Sequence, residues 1–216
     1  MRKKKRKRWP QLTIGNQLSV DDLRTAEDFL NRNHGRDCEI IFDSDGGICE
    51  VGIELNKLFK AHGQCLARIY KAESAAAVAL LGCKWRIGEP LCTVYVHAPY
   101  STEGRKDSKV EDLGLLCAAL VARDTGQDIS RVLFWMKGSG HELFDHVAKC
   151  TGFLHCMNPE EGLPLTLLKA KATRAGHKLD MFPQSLTNPK MLETYRNRLR
   201  GNHTENRRFW SARHIR

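Results

Sequence analysis

The chain has 216 residues, 41% of them hydrophobic and 28% charged, which is long enough to bury a core and has a globular rather than a disordered balance. No run of about eighteen apolar residues occurs and the N-terminus lacks an apolar signal stretch, so neither membrane insertion nor secretion is expected, and a cytoplasmic location is. The net charge of +10 is uneven: residues 1–8 hold seven Lys/Arg and no acid, residues 190–216 carry a net +6, and residues 9–189 are left at −3.

Arg2, Lys3, Lys4, Lys5, Arg6, Lys7 and Arg8 repel one another and have nothing apolar to bury, so residues 1–18 are expected to form a basic arm. Such an arm suits a polyanion, RNA or DNA alike, or an acidic protein surface, with Trp9 stacking or anchoring; a solvated tail and a targeting signal are the plainer readings. Ser19 with Asp22 three residues on starts a helix whose face is Leu23, Ala26, Phe29 and Leu30. Residues 38–42 predict a short strand, 43–47 an ordinary acidic turn without the ligand spacing of a calcium loop, and 51–62 a second helix.

Residues 65–70, 75–85 and 91–97 predict three successive antiparallel strands, the last two joined by a turn over 86–90. A polar loop over 101–109 follows, then a helix over 110–124, a strand over 131–136, a short helix over 141–151 stopped by Gly152, and a last strand over 163–169. The expected fold is α+β, one mixed sheet of about six or seven strands flanked by helices over residues 19–168. Leu113, Leu116, Leu120, Val132, Phe134, Val147 and Phe153 are its expected core. Residues 169–216 form a second basic arm with a helix near 189–200, which presents Arg196, Arg198 and Arg200 ahead of Arg207, Arg208, Phe209 and Trp210.

The order of strand ending Val96-His97, loop, long helix, strand and short helix ending Gly152-Phe153 resembles the cofactor-binding half of the GNAT superfamily of acyltransferases, over roughly residues 65–168. The resemblance implies an N-acetyltransferase moving an acetyl group from acetyl-CoA to an amine. Tyr95 and Val96 would hold the pantetheine, Gly104, Arg105 and Lys106 would meet the pyrophosphate, and His97 and His141 would be the catalytic candidates. Glu54, Glu73, Glu89 and Glu103 are further conceivable bases. The loop has one glycine where the family has several, and Ala148 stands where many members carry a tyrosine. A second reading is therefore a catalytically degenerate GNAT-like component of a virion or nucleoprotein, similar to internal virion proteins of short-tailed phages. It would sit in a homo- or hetero-assembly through its basic arms.

Other chemistry has weaker signals. Eight cysteines without C-x-x-C spacing point to reduced core thiols. His141, His146, Cys150, His155 and Cys156 are the densest ligand set but lack four-ligand spacing, so no metal is expected. A Ser/His/Asp or Cys/His nucleophile arrangement has no supporting local motif such as G-x-S-x-G. If the arms make roughly six phosphate contacts, affinity is expected to fall about a thousandfold between 50 and 200 mM salt.

Overall fold

The computed structural model describes residues 9–100 and 108–158. Its centre is a parallel sheet with strand order β1(Gln11–Leu18), β2(Cys38–Gly47), β3(Cys65–Glu73), β4(Trp85–Val96), and β5(His141–Phe144) is the antiparallel edge. A two-residue β6(Cys156–Met157) pairs with β4 in parallel. The strands are linked by α1(Val20–Arg32), α2(Cys49–His62) and α3(Ala75–Leu80), which makes three successive β-α-β crossovers; α4(Ser108–Thr125), α5(Ile129–Trp135) and α6(Asp145–Cys150) follow.

Six strands and flanking helices agree with the expected mixed sheet, but the strands alternate with helices and run mostly parallel, so the class is α/β where α+β was expected. The antiparallel meander expected over residues 65–97 is absent because residues 75–80 are helical. Ala75-Ala76-Ala77-Val78-Ala79-Leu80 is apolar on every side, which suits a fully buried helix as well as a strand, and alanine's helix propensity decides it. Residues 86–90 lie inside β4 instead of forming a turn; Pro90 there sits in a bulge that leaves Leu91 at φ 63 and exposed.

Four further stretches depart from expectation. Residues 131–136 fall in and just after α5, because Asp128 caps its first turn by accepting the Ser130 N–H at 2.7 Å. Residues 141–144 are strand β5, which completes the sheet edge before α6 begins. Residues 11–18, assigned to the basic arm, are strand β1, and residues 43–47 are the end of β2 and not a turn. The capping box at Ser19 and Asp22, helix α2 and helix α4 stand as expected.

The main core lies between the sheet and the layer of α2, α3 and α4, with Phe42, Phe59, Leu55, Ile69, Leu80 and Val94 closed to solvent. Of the expected core, Leu120, Val132 and Phe153 are buried and Leu113 packs against them. Leu116, Phe134 and Val147 are exposed, Phe134 because the helical period of α5 turns Val132, Leu133 and Trp135 inward instead. On the other face of the sheet Trp9, partly buried, packs beside Leu66, Trp85 and Ile87. Arg68 bridges the buried carboxylates of Glu39 at 2.6 Å and Glu89 at 2.8 Å there.

Helices α2 and α3 touch at backbone distance. A Cβ on Gly52 would lie 2.4 Å from the Ala75 carbonyl oxygen, and the Asn56 amide donates to the Val78 carbonyl at 2.8 Å. Gly52→Ala is therefore expected to destabilise the protein by about 1–3 kcal/mol, read as a lowered thermal midpoint, because α3 cannot move without disturbing the strand end before it.

Candidate active site

Parallel β-α-β units bring the C-terminal ends of their strands to one edge of the sheet, where the chain crosses into the following helices. Here that edge gathers Gly46-Gly47 from β2, Glu73-Ser74 from β3 and Val96-His97 from β4. A cleft of about 690 Å³ opens above it, lined by Gly47, Ser74, Ala75, Val96, His97 and Tyr100, with an apolar wall of Val78, Leu113, Val121 and Met136.

Ser74 makes the tight turn from β3 into α3 with φ 53 and ψ −120, a conformation that costs an L residue about 1–3 kcal/mol. Its N–H donates to the Tyr95 carbonyl at 2.7 Å, which ties the turn to β4. Gly46 makes room for it: at φ 89, a Cβ would come within 2.6 Å of both the Glu73 carbonyl oxygen and Ser74 Cβ. Gly47 is as tightly placed, since a Cβ there would lie 2.5 Å from the backbone of Leu18. A strained serine at a strand-to-helix turn is the geometry that exposes an Oγ to a substrate.

His97 is half-buried, with its ring between Tyr95 at 5.3 Å and Tyr100 at 5.7 Å. Its Nδ1 lies 2.8 Å from the Ala98 carbonyl oxygen. A carbonyl only accepts, so this contact puts an N–H at Nδ1, and in the neutral ring Nε2 is then the basic nitrogen. Because Glu73 pairs with Tyr95 in the register of β3 and β4, Ser74 and His97 leave neighbouring strands one step apart.

Carboxylates stand nearby. Burial raises the Glu73 carboxyl above its ordinary range; Lys71 opposes this, Asp45 and Glu142 add to it by repulsion, and His97 lowers it. Burial likewise raises the Tyr95 phenol, with Glu73 and Glu142 adding to the effect. Glu142 lies on β5 directly opposite Tyr95.

The fold is similar to that of ClpP1. A mutant ClpP1 from Listeria monocytogenes superposes with a TM-score of 0.63 at 16% identity, over 70% of this chain and 92% of that one. No family model and no curated protein matches the sequence. At that identity the likeness concerns the fold alone, and it overturns the GNAT resemblance. The acetyltransferase, acetyl-CoA and phage-virion readings had that resemblance as their carrier and have no support from this fold.

The sequence-derived candidates are thus redistributed. His97 and Val96 line the cleft, and the Tyr95 ring lies tilted against His97. His141 sits on β5 with its ring stacked on Trp135 at 6.3 Å and is not a lining residue of the cleft. Gly104, Arg105 and Lys106 lie outside the described residues, as do Arg2 to Arg8, Arg196, Arg200, Arg207, Arg208 and Trp210, the strand expected over 163–169 and the helix expected over 189–200. Among the described residues no three His, Cys, Asp or Glu converge as a metal site would require, and His155 is buried in contact with the Arg86 backbone. No helix among them is long and apolar enough to cross a membrane. Ser74 is the residue that sequence reasoning passed over: its only local signal is a serine between a strand and an alanine run.

Proposed function

We propose that this protein is a serine hydrolase that cleaves an ester or amide bond of an acyl substrate, with Ser74 as nucleophile and His97 as general base. The observation that carries the reading is the strained Ser74 turn sharing one cleft with a histidine whose Nδ1 is engaged by the Ala98 carbonyl, so that Nε2 is the nitrogen available as a base in the neutral ring. Nε2 would take the Ser74 hydroxyl proton as Oγ attacks the substrate carbonyl carbon. The developing oxyanion would accept from the backbone N–H groups of Ala75, the residue after the nucleophile, and of Gly47, the Gly46 N–H being already donated to the Ser44 hydroxyl at 3.2 Å. The imidazolium then returns the proton to the leaving group, and a water repeats the sequence to release the acid. The apolar wall between α3 and α4 suits a hydrophobic acyl part.

The test is labelling with a fluorophosphonate, followed by peptide mapping. The phosphonate is expected on Ser74; its absence there, with the protein folded, would overturn the assignment.

A second proposal concerns the ends of the chain and rests on their charge alone. The basic runs at 1–8 and 190–216 suit contact with RNA, DNA or an acidic protein surface, in a cytoplasm or within an assembly. Binding isotherms on mixed-sequence RNA and DNA at three salt concentrations, with and without residues 1–8, check it. A steep salt dependence that weakens on truncation is expected, and a flat response would exclude nucleic acid as the partner.

A further inference from the structure

Two of the eight cysteines meet at the wall of the cleft, and the proposed hydrolysis does not use them. Cys49 is the first residue of α2 and half-buried; Cys117 is in the middle of α4 and 3% exposed. Their sulfurs are 3.3 Å apart, a thiol–thiol hydrogen bond joining residues 68 apart in sequence, and both line the cleft. They are therefore positioned by two separate helices and reachable from the cleft on the Cys49 side. Of the six remaining cysteines Cys38, Cys65, Cys83 and Cys92 are buried, Cys156 is half-buried and Cys150 is exposed, and none of them lines the cleft.

We propose that Cys49 and Cys117 are a dithiol modification site that reacts with small-molecule disulfides entering the cleft, and that it closes to a Cys49–Cys117 disulfide tying α2 to α4. The chemistry is ordinary exchange. The Cys49 thiolate attacks one sulfur of a small disulfide, forming a mixed disulfide and expelling one thiolate. Cys117 then gives up its proton and attacks the Cys49 sulfur, and the second small thiol leaves. Two protein thiols and one small disulfide become one protein disulfide and two small thiols, so electrons balance without another oxidant.

Position and exposure set the order of attack. Cys49 opens onto the cleft and stands where the first N–H groups of α2 favour negative charge, and the hydrogen bond with Cys117 favours its thiolate, lowering its pKa against the opposing effects of burial and Glu50. Cys117 is raised well above the ordinary range by the same hydrogen bond and by burial, so it is the resolving thiol. A disulfide needs the sulfurs to close to about 2.05 Å. The required shift is a little over an ångström, within what two side chains and a helix end can supply. The product would fix the cleft wall formed by α2 and α4 whether or not Ser74 is a nucleophile.

The experiment uses the full chain with excess oxidised glutathione, then alkylation under denaturing conditions and peptide mapping. Cys49 and Cys117 are expected to be lost from the alkylated pool and recovered as one cross-linked peptide pair. Cys117→Ser is expected to stop the reaction at Cys49 carrying a glutathione, and Cys49→Ser to leave Cys117 alkylatable. Recovery of Cys49 as a free thiol in the unsubstituted protein while Cys150 is glutathionylated would overturn the proposal, and so would Cys49 stalled at the mixed disulfide beside a free Cys117. Fluorophosphonate labelling of the reduced protein, run in parallel, reports on Ser74 separately, so failure of the hydrolase reading and failure of the dithiol are told apart.

Discussion

Ser74→Ala is expected to abolish fluorophosphonate labelling and to lower kcat on an activated ester by a factor on the order of 10⁶, because a nucleophile and its base act as one unit and losing either forfeits nearly the whole covalent pathway. His97→Ala is expected to fall on the same scale, with only the catalysis due to oxyanion binding left. Stability gives an independent readout. Ser74 sits at φ 53 and ψ −120, so Ser74→Gly removes a conformational cost of about 1–3 kcal/mol while also removing the nucleophile. The glycine variant is thus expected to melt several degrees higher than the parent and to be inactive, whereas Ser74→Ala keeps the strain and melts near the parent. A parent-like kcat in Ser74→Ala would sink the hydrolase reading; unchanged melting in Ser74→Gly would sink the idea that the turn is held under strain for function.

Why the sequence led elsewhere is visible in single residues. Where the signal is a capping pair it holds: Ser19 and Asp22 form the capping box. Where the signal was only an apolar run, it failed, because residues 75–80 and 131–136 are buried on most sides and periodicity cannot separate a buried helix from a buried strand. That one ambiguity inverted the topology, since a helix after β3 makes the next strand parallel and a strand would have made it antiparallel.

The site inherited the same error. His97 follows a strand in the sequence as in the structure, but the sequence points from that strand to Gly104, Arg105 and Lys106 as a phosphate loop and not across to the end of β3. Ser74 becomes conspicuous only when β3 and β4 are laid side by side and Gly46 is seen against its Cβ, relations that no spacing along the chain encodes. The two glycines closing β2 were legible as glycines, yet the reading of 43–47 as a turn assigned them to chain reversal instead of close backbone approach.

Acid is expected to unfold this protein through His155. The residue is 6% exposed, and burial, with the nearby Arg86 adding to it, pushes its pKa down to about 2 from an ordinary 6.5. Its Nδ1 accepts the Arg86 backbone N–H at 3.2 Å, so protonation would turn that acceptor into a donor. A cation would then stand beside the Arg86 guanidinium, which itself donates to the carbonyls of Leu81, Cys83, Asp124, Gly152 and Phe153 and so joins β4, α4 and the chain after α6. The sign follows from proton uptake. Below pH 6.5 the unfolded chain binds a proton at this position and the folded chain does not, so stability is full above 6.5 and falls as the pH drops toward 2. The slope approaches 1.4 kcal/mol per pH unit, about 5 kcal/mol by pH 3, which is comparable to the whole stability of a small domain. Asp124 joins only near pH 4: burial raises its carboxyl, but hydrogen bonds from Arg123 and Lys60 hold it below its ordinary range. Glu73, raised by burial, gives a small change of the opposite sign just above 4.5. Urea denaturation of the parent and of His155→Gln across pH 7 to 3 isolates the histidine. The variant is expected to be less stable at pH 7, having a weaker partner for Arg86, and to lose the slope between 6.5 and 4; equal slopes in the two proteins would assign the acid sensitivity to the carboxylates instead.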